Sequence, residues 1–144
     1  MKKLLTVLLL GMTTLLMAGF SSANGVVTDD VTTLEWQDDY SDNAGAVKQA
    51  TWEDAITYCD TLSLVGSGWR LPNIRELRSI VDRAAANPSI DSTFQNITFS
   101  NAYWSSTTTV GTEQYAWGMD FHHGIYIPHV KTYSSCVRCV RGGQ

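Results

Sequence analysis

The chain has 144 residues, with 10 Lys and Arg against 14 Asp and Glu, and 44% of its residues are apolar. That length suits one domain with one core. A net charge of −4 argues against nucleic acid and against general attraction to anionic membranes, since both need basic surface.

The first element is an export leader. Lys2 and Lys3 open it, an uncharged apolar run spans Leu4 to about Ala18, and Ser21-Ser22-Ala23 supplies a small-x-small cleavage site. The run is short for a bilayer span. Phe20 stands where a lipoprotein would carry its acylated cysteine. Residues 1–23 are therefore expected to leave as a signal peptide. Residues 24–144 remain as a single domain without a membrane span, in the periplasm, at the cell surface or secreted. Losing both lysines leaves 8 basic residues against 14 acidic ones, a net charge of −6. Local basic patches stay open.

Residues 25–31 read as an extended strand, and in the segment 33–37 Leu34 and Trp36 share a face. The stretch DDYSDNAG, 38–45, is turn-forming. Thr51 opens a helix in the pattern Thr51-x-x-Asp54, a capping box with a shorter acid. Trp52, Ala55, Ile56, Cys59 and Leu62 follow at helical spacing, and the helix is expected to end near Leu64. In GWRLPNIREL, 68–77, Asn73 is an N-cap and Glu76 completes its capping box. Ile74, Leu77, Ile80 and Val81 mark the buried side of this second helix, which Asn87-Pro88 closes. Trp69 and Leu71 are assigned to the core, and Arg70 to an ion pair or a backbone hydrogen bond.

Beyond residue 95 the period changes. Residues 103–109 are aromatic and β-branched. Tyr115, Trp117, Met119 and Phe121 alternate with Ala116, Gly118, Asp120 and His122, the mark of a strand with one buried face. His122-His123-Gly124 is a hairpin turn into residues 125–130, and a last strand covers 136–141. Two early helices and late strands indicate α+β.

The three cysteines are Cys59, Cys136 and Cys139. In an oxidising compartment two are expected to pair. On a regular final strand Cys136 and Cys139 point to opposite faces, so only one faces the first helix. Cys59–Cys139 is the favoured bridge, leaving Cys136 free or paired between chains. The rival reading takes Cys136-x-x-Cys139 as a redox motif, although its surroundings read as strand rather than helix N-terminus.

TTLEWQ (32–37), YC (58–59), GWRLPNIREL (68–77), YWSST (103–107), AWGMDF (116–121) and RCVRGG (138–143) together resemble the C-terminal domain family of Legionella collagen-like protein, Lcl. The resemblance spans nearly all of the chain after the leader. It implies a C-type-lectin-like α+β fold: two helices flanking a small, mostly antiparallel sheet whose N- and C-terminal strands pair. It also implies a disulfide from the first helix to the last strand, with Cys136 an addition to the pattern. The namesake domain resembles an adhesin for sulfated glycans; this chain lacks a collagen-like region.

Few residues stand out for chemistry. His122, His123 and His129 fall short of a zinc set, because adjacent strand residues face opposite ways. Asp38, Asp39, Asp42 and Asn43 offer oxygens for calcium but miss the EF-hand spacing, and the sugar-binding triplets of calcium-dependent lectins are absent. No metal or other cofactor is expected. There is no Gly-x-Ser-x-Gly elbow and no His-Glu-x-x-His helix. The polar segment SSTTTVGTEQY, 105–115, reads as a recognition loop on a rigid scaffold. Tyr115, His122, His123, Tyr126 and Lys131 are the candidate ligand-binding residues. The expected function is a non-enzymatic binding or adhesion module for a glycan or protein. The alternatives are an envelope assembly component that oligomerises through Cys136 or a strand edge, and a metal- or thiol-dependent enzyme.

Overall fold

A computed structural model describes residues 19–143; residues 1–18 of the expected 1–23 leader lie outside the described residues. The fold is α+β, with two helices and two sheets rather than one small sheet. The first sheet runs β1 (Phe20–Ala23), β2 (Val26–Asp29), β3 (Glu35–Gln37) and β9 (Val140–Arg141), with every pairing antiparallel. N-terminal and C-terminal segments thus meet directly where β3 pairs β9. The second sheet runs β4 (Gln49–Ala50), β8 (Ser135–Cys136), β5 (Tyr103–Thr108), β6 (Tyr115–Asp120) and β7 (Ile125–Val130). Its β5–β8 contact is parallel and the others are antiparallel.

Both helices start where their caps place them. Helix α1 (Trp52–Thr61) is capped by Thr51, whose hydroxyl accepts from the Asp54 N–H. It ends at Thr61, short of Leu64, because Leu62 turns to extended backbone. Helix α2 (Ile74–Ser79) carries the complete Asn73/Glu76 capping box. It is shorter than its apolar spacing implies, since Val81 leaves it to bridge with Ile90.

Tyr103 and Met119 are cross-strand partners in one core cluster, which includes Leu77 of α2. Trp104 belongs to the other cluster with Ala55 and Cys59 of α1. The second sheet is therefore covered on both faces, and β6 departs from the simple alternation. Ala116 and Gly118 are buried as well as Met119, while Trp117 is half-buried. Small residues are what the α1 side requires: a Cβ on Gly118 would lie 3.1 Å from the Ala102 Cβ.

The expected last strand is split. Residues 135–136 pair in the second sheet and 140–141 in the first, so the chain crosses between sheets at 137–139. Cys136 and Cys139 are accordingly both fully buried, which a regular strand with one solvent face would not allow. The bridge is Cys59–Cys139, with Cα atoms 5.4 Å apart across 80 residues of sequence. Cys136 is free and buried, and burial pushes its thiol pKa up.

Strand β7 is an edge strand. The Lys131 N–H donates to the Gln114 carbonyl at 2.9 Å. With the β6–β7 register, that bond sets which β7 residues turn their main-chain groups away from β6: Tyr126, Pro128 and Val130. Pro128 has no N–H, so the middle donor of the open edge is missing. Proline there protects the sheet from pairing with another chain.

Arg138 is completely buried, with its guanidinium on Asp38 at 2.8 Å. Arg138→Met leaves that carboxylate buried without its cation and is expected to cost roughly 3–5 kcal/mol, measured by denaturant unfolding. Removing the disulfide as Cys59→Ala with Cys139→Ala should cost about 4 kcal/mol in the chain-entropy account, read in the same assay. A third expectation concerns His129, whose Nδ1 lies 3.2 Å from Ser135 Oγ and whose ring meets Trp104 edge-on. Burial holds its pKa below the ordinary value. The unfolded chain therefore binds the proton more readily, and stability falls as pH drops through about 6.5, the unfolded value. His129→Gln should flatten that part of a stability-against-pH curve.

Candidate functional site

A groove runs between α2 and the β6–β7 hairpin. One part, of about 240 Å³, is lined by Ile74, Arg75, Arg78, Trp117 and Tyr126. Arg78 and Tyr126 continue into a second part of about 480 Å³, together with Val81, Arg83 and Gly124.

Its walls are held by local chemistry. Asn73 accepts from the Glu76 N–H at 2.9 Å, and Glu76 accepts from the Asn73 N–H at 2.8 Å. Both Glu76 oxygens also take the Arg70 guanidinium, at 2.8 and 2.7 Å. Burial works against the Glu76 charge, but these donors hold its pKa below the ordinary carboxylate value. The Ile74 N–H donates to Thr107 Oγ1 of β5 at 3.1 Å, tying the helix start to the sheet. Arg75 and Arg78, three apart, share the helix's open side. On the facing wall Trp117 and Tyr126 lie diagonally across the β6–β7 ladder, with ring centroids 5.4 Å apart and edge-to-face. Tyr126 is 51% exposed, and the Arg78 guanidinium lies 5.7 Å from its ring centroid.

The electrostatics separate this groove from the rest of the surface. Beyond Lys2 and Lys3 the chain has eight Lys and Arg residues. Arg70, Arg138 and Arg141 are in ion pairs with Glu76, Asp38 and Glu35. Lys48 lies over Tyr58, and Lys131 lies 3.9 Å over Trp52 while donating to Thr108. The remaining three, Arg75, Arg78 and Arg83, form no ion pair among the described residues. All three line the groove.

The sequence-based candidates divide. Tyr126 sits in the groove. His122 and His123 lie in the turn beside it, where Asp120 bonds His123 Nδ1 at 2.7 Å and the two imidazoles meet at 3.1 Å. Burial works to raise the Asp120 pKa, but hydrogen bonds from His123 and the turn's main chain hold it low. Tyr115 and Lys131 sit at the other end of the hairpin, about 15 Å along the strands, and are not brought together with the rest. The acids of the 38–45 loop have internal partners. Asp38 holds Arg138, Asp39 accepts from the Ser41 N–H, and Asp42 accepts from the Tyr58 hydroxyl. Among the described residues no three His, Cys, Asp or Glu side chains converge as metal ligands. No described helix is long and apolar enough to cross a membrane.

Sequence reasoning missed Arg75, Arg78, Arg83 and Trp117. The first two were legible as the polar side of α2, opposite Leu77. Trp117 was hidden by its alternation with the buried residues of β6.

A comparison with curated proteins found no significant match. Residues 25–141, which include both walls of the groove and the disulfide, match the Lcl C-terminal domain, and the chain belongs to that family.

Proposed function

We propose that this protein is an exported, non-enzymatic binding module whose α2–hairpin groove takes a glycan chain carrying negatively charged groups. One observation carries the reading: the three arginines that form no ion pair among the described residues gather beside the half-buried Trp117 and the exposed Tyr126. Aromatic faces stack on the apolar faces of sugar rings, and guanidinium forks pair with carboxylate or sulfate oxygens. Binding is favoured over turnover because guanidinium groups stay charged at any physiological pH and do not exchange protons as acids or bases. Export is part of the proposal, supported by the apolar leader and by a disulfide, which persists in oxidising compartments. The assembly alternative draws less support. Cys136 is buried and free, and Pro128 interrupts the open edge of β7.

A glycan array followed by titration of the best ligand tests this. Binding should weaken with added salt and be indifferent to chelator. Arg78→Ala and Trp117→Ala should each weaken it about tenfold, or ~1.4 kcal/mol. Lys131→Ala, at the far end of the hairpin, should leave it unchanged. Absence of binding to any glycan class, or binding by both groove variants as tight as that of the unaltered protein, overturns the proposal.

A further inference from the structure

The leader reading places the cut after Ala23, inside a segment that is folded. Residues 20–23 form β1, paired with β2 at four positions from Phe20↔Asp29 to Ala23↔Val26. The Asp30 N–H donates to the Gly19 carbonyl at 2.9 Å, so the pairing extends one residue further back. Phe20 packs against the core, with its ring 5.6 Å from Phe94 and edge-on.

The connection between the strands is equally specific. Asn24 and Gly25 both have positive φ, 53° and 74°. Two left-handed residues in an Asn-Gly pair make the two-residue turn whose twist matches a β-hairpin. Gly25 has a second constraint, since a Cβ there would fall 2.3 Å from the Asp39 Cβ. Asn24 is exposed. Its left-handed backbone serves the hairpin, and a hairpin turn has no purpose at a chain terminus. A cut after Ala23 would sever this turn, strip β1 from the sheet, and uncover the outer edge of β2 and the face of Phe94.

We infer that the leader ends at Ala18 and that the mature protein begins at Gly19. The step is hydrolysis of the Ala18–Gly19 peptide bond by a signal endopeptidase: water adds hydroxyl to the Ala18 carbonyl carbon and a proton to the Gly19 nitrogen. Ala18 closes the apolar run and supplies the small residue that such enzymes require immediately before the cut, with Leu16 at the other position of the A-x-A-like pattern. The product retains 126 residues, including the whole β1–β2 hairpin. The inference rests on the export part of the proposed function and is independent of the ligand.

The test is expression of the full 144-residue chain in a bacterial host, followed by cell fractionation, intact mass and N-terminal sequencing. The expected exported product begins Gly-Phe-Ser-Ser. Ala18→Arg should block or displace that cut. Ala23→Arg, on an exposed edge position, should leave it at Gly19. A product beginning at Asn24 overturns this inference while leaving export intact; an uncleaved chain confined to the cytoplasm overturns both. A separate measurement guards against an accommodating protease. Oxidised protein starting at Gly19 should melt a few degrees above protein starting at Asn24, and equal melting temperatures would overturn the structural basis of the inference.

Discussion

The Arg138 guanidinium, sealed from solvent, is the constraint on which the rest of the structure depends. Its Nη1 donates to the Gln37 carbonyl and to Asp38, and its Nη2 to the Asn96 carbonyl. Phe94 and Tyr103 lie against it, with centroids 4.8 and 5.6 Å away. Asp38 uses its remaining capacity on the Gln95 and Asn96 N–H groups. One ion pair thereby joins the end of β3, the 94–96 loop and the final crossing of the chain. Burying both charges is expensive, and Arg138 Nε finds no partner at all. The arrangement is tolerable because nearly every other polar atom around it is satisfied, which leaves one geometry and few alternatives.

Restraint passes from that crossing to the groove through adjacent residues. Cys139, next to Arg138, is bonded to α1, and its N–H donates to Gln37 Oε1 at 3.3 Å. Val140 exchanges both main-chain bonds with Arg70 at 2.9 Å. Arg70 then grips Glu76, and Glu76 closes the capping box that starts α2. The tight grouping of Trp, Arg, Pro and a cap in GWRLPNIREL is explained by this sequence of contacts. Trp69 and Leu71 anchor the segment in the core, the arginine between them reaches forward to the helix, and the helix presents Arg75 and Arg78 outward. The motif builds one wall of the groove and supplies Ile74 and Arg75 to its lining.

Much of this was legible in the sequence where the signal is local. Thr51, Asn73 and Glu76 act within four residues of where they stand, so capping chemistry located both helices. The β6–β7 hairpin followed from alternation and a Gly-containing turn. The pairing of Cys59 with Cys139 was reached from a regular final strand that does not exist: β8 and β9 belong to different sheets, a fact set by partners some 100 residues away. The Asn24-Gly25 hairpin went unread because the residues before it also fit a leader. The groove was illegible for a different reason. Alternation assumes one wet face, whereas β6 is covered on both, so Trp117 looked like core while Ala116 and Gly118 took the truly buried places.

Charge gives the same lesson in reverse. The net charge, −4 for the whole chain and −6 without Lys2 and Lys3, describes the molecule at long range, where it governs solubility and discourages polyanions from approaching. Exposed charges more than about 8 Å apart are largely screened at physiological salt, so a ligand in contact responds to its neighbours only. Three of the eight cations are paired with carboxylates, Lys48 and Lys131 lie over aromatic rings elsewhere in the fold, and Arg78 lies by Tyr126 in the groove itself. The acidic surplus therefore coexists with a groove whose near field is set by Arg75, Arg78 and Arg83. On the proposed reading such a site would discriminate by approach as well as by contact: a flexible polyanion is repelled from most of the surface and drawn to one place. On that reading Trp117 and Tyr126 would select among anionic chains, because stacking needs a ring-shaped partner and a bare anion has none.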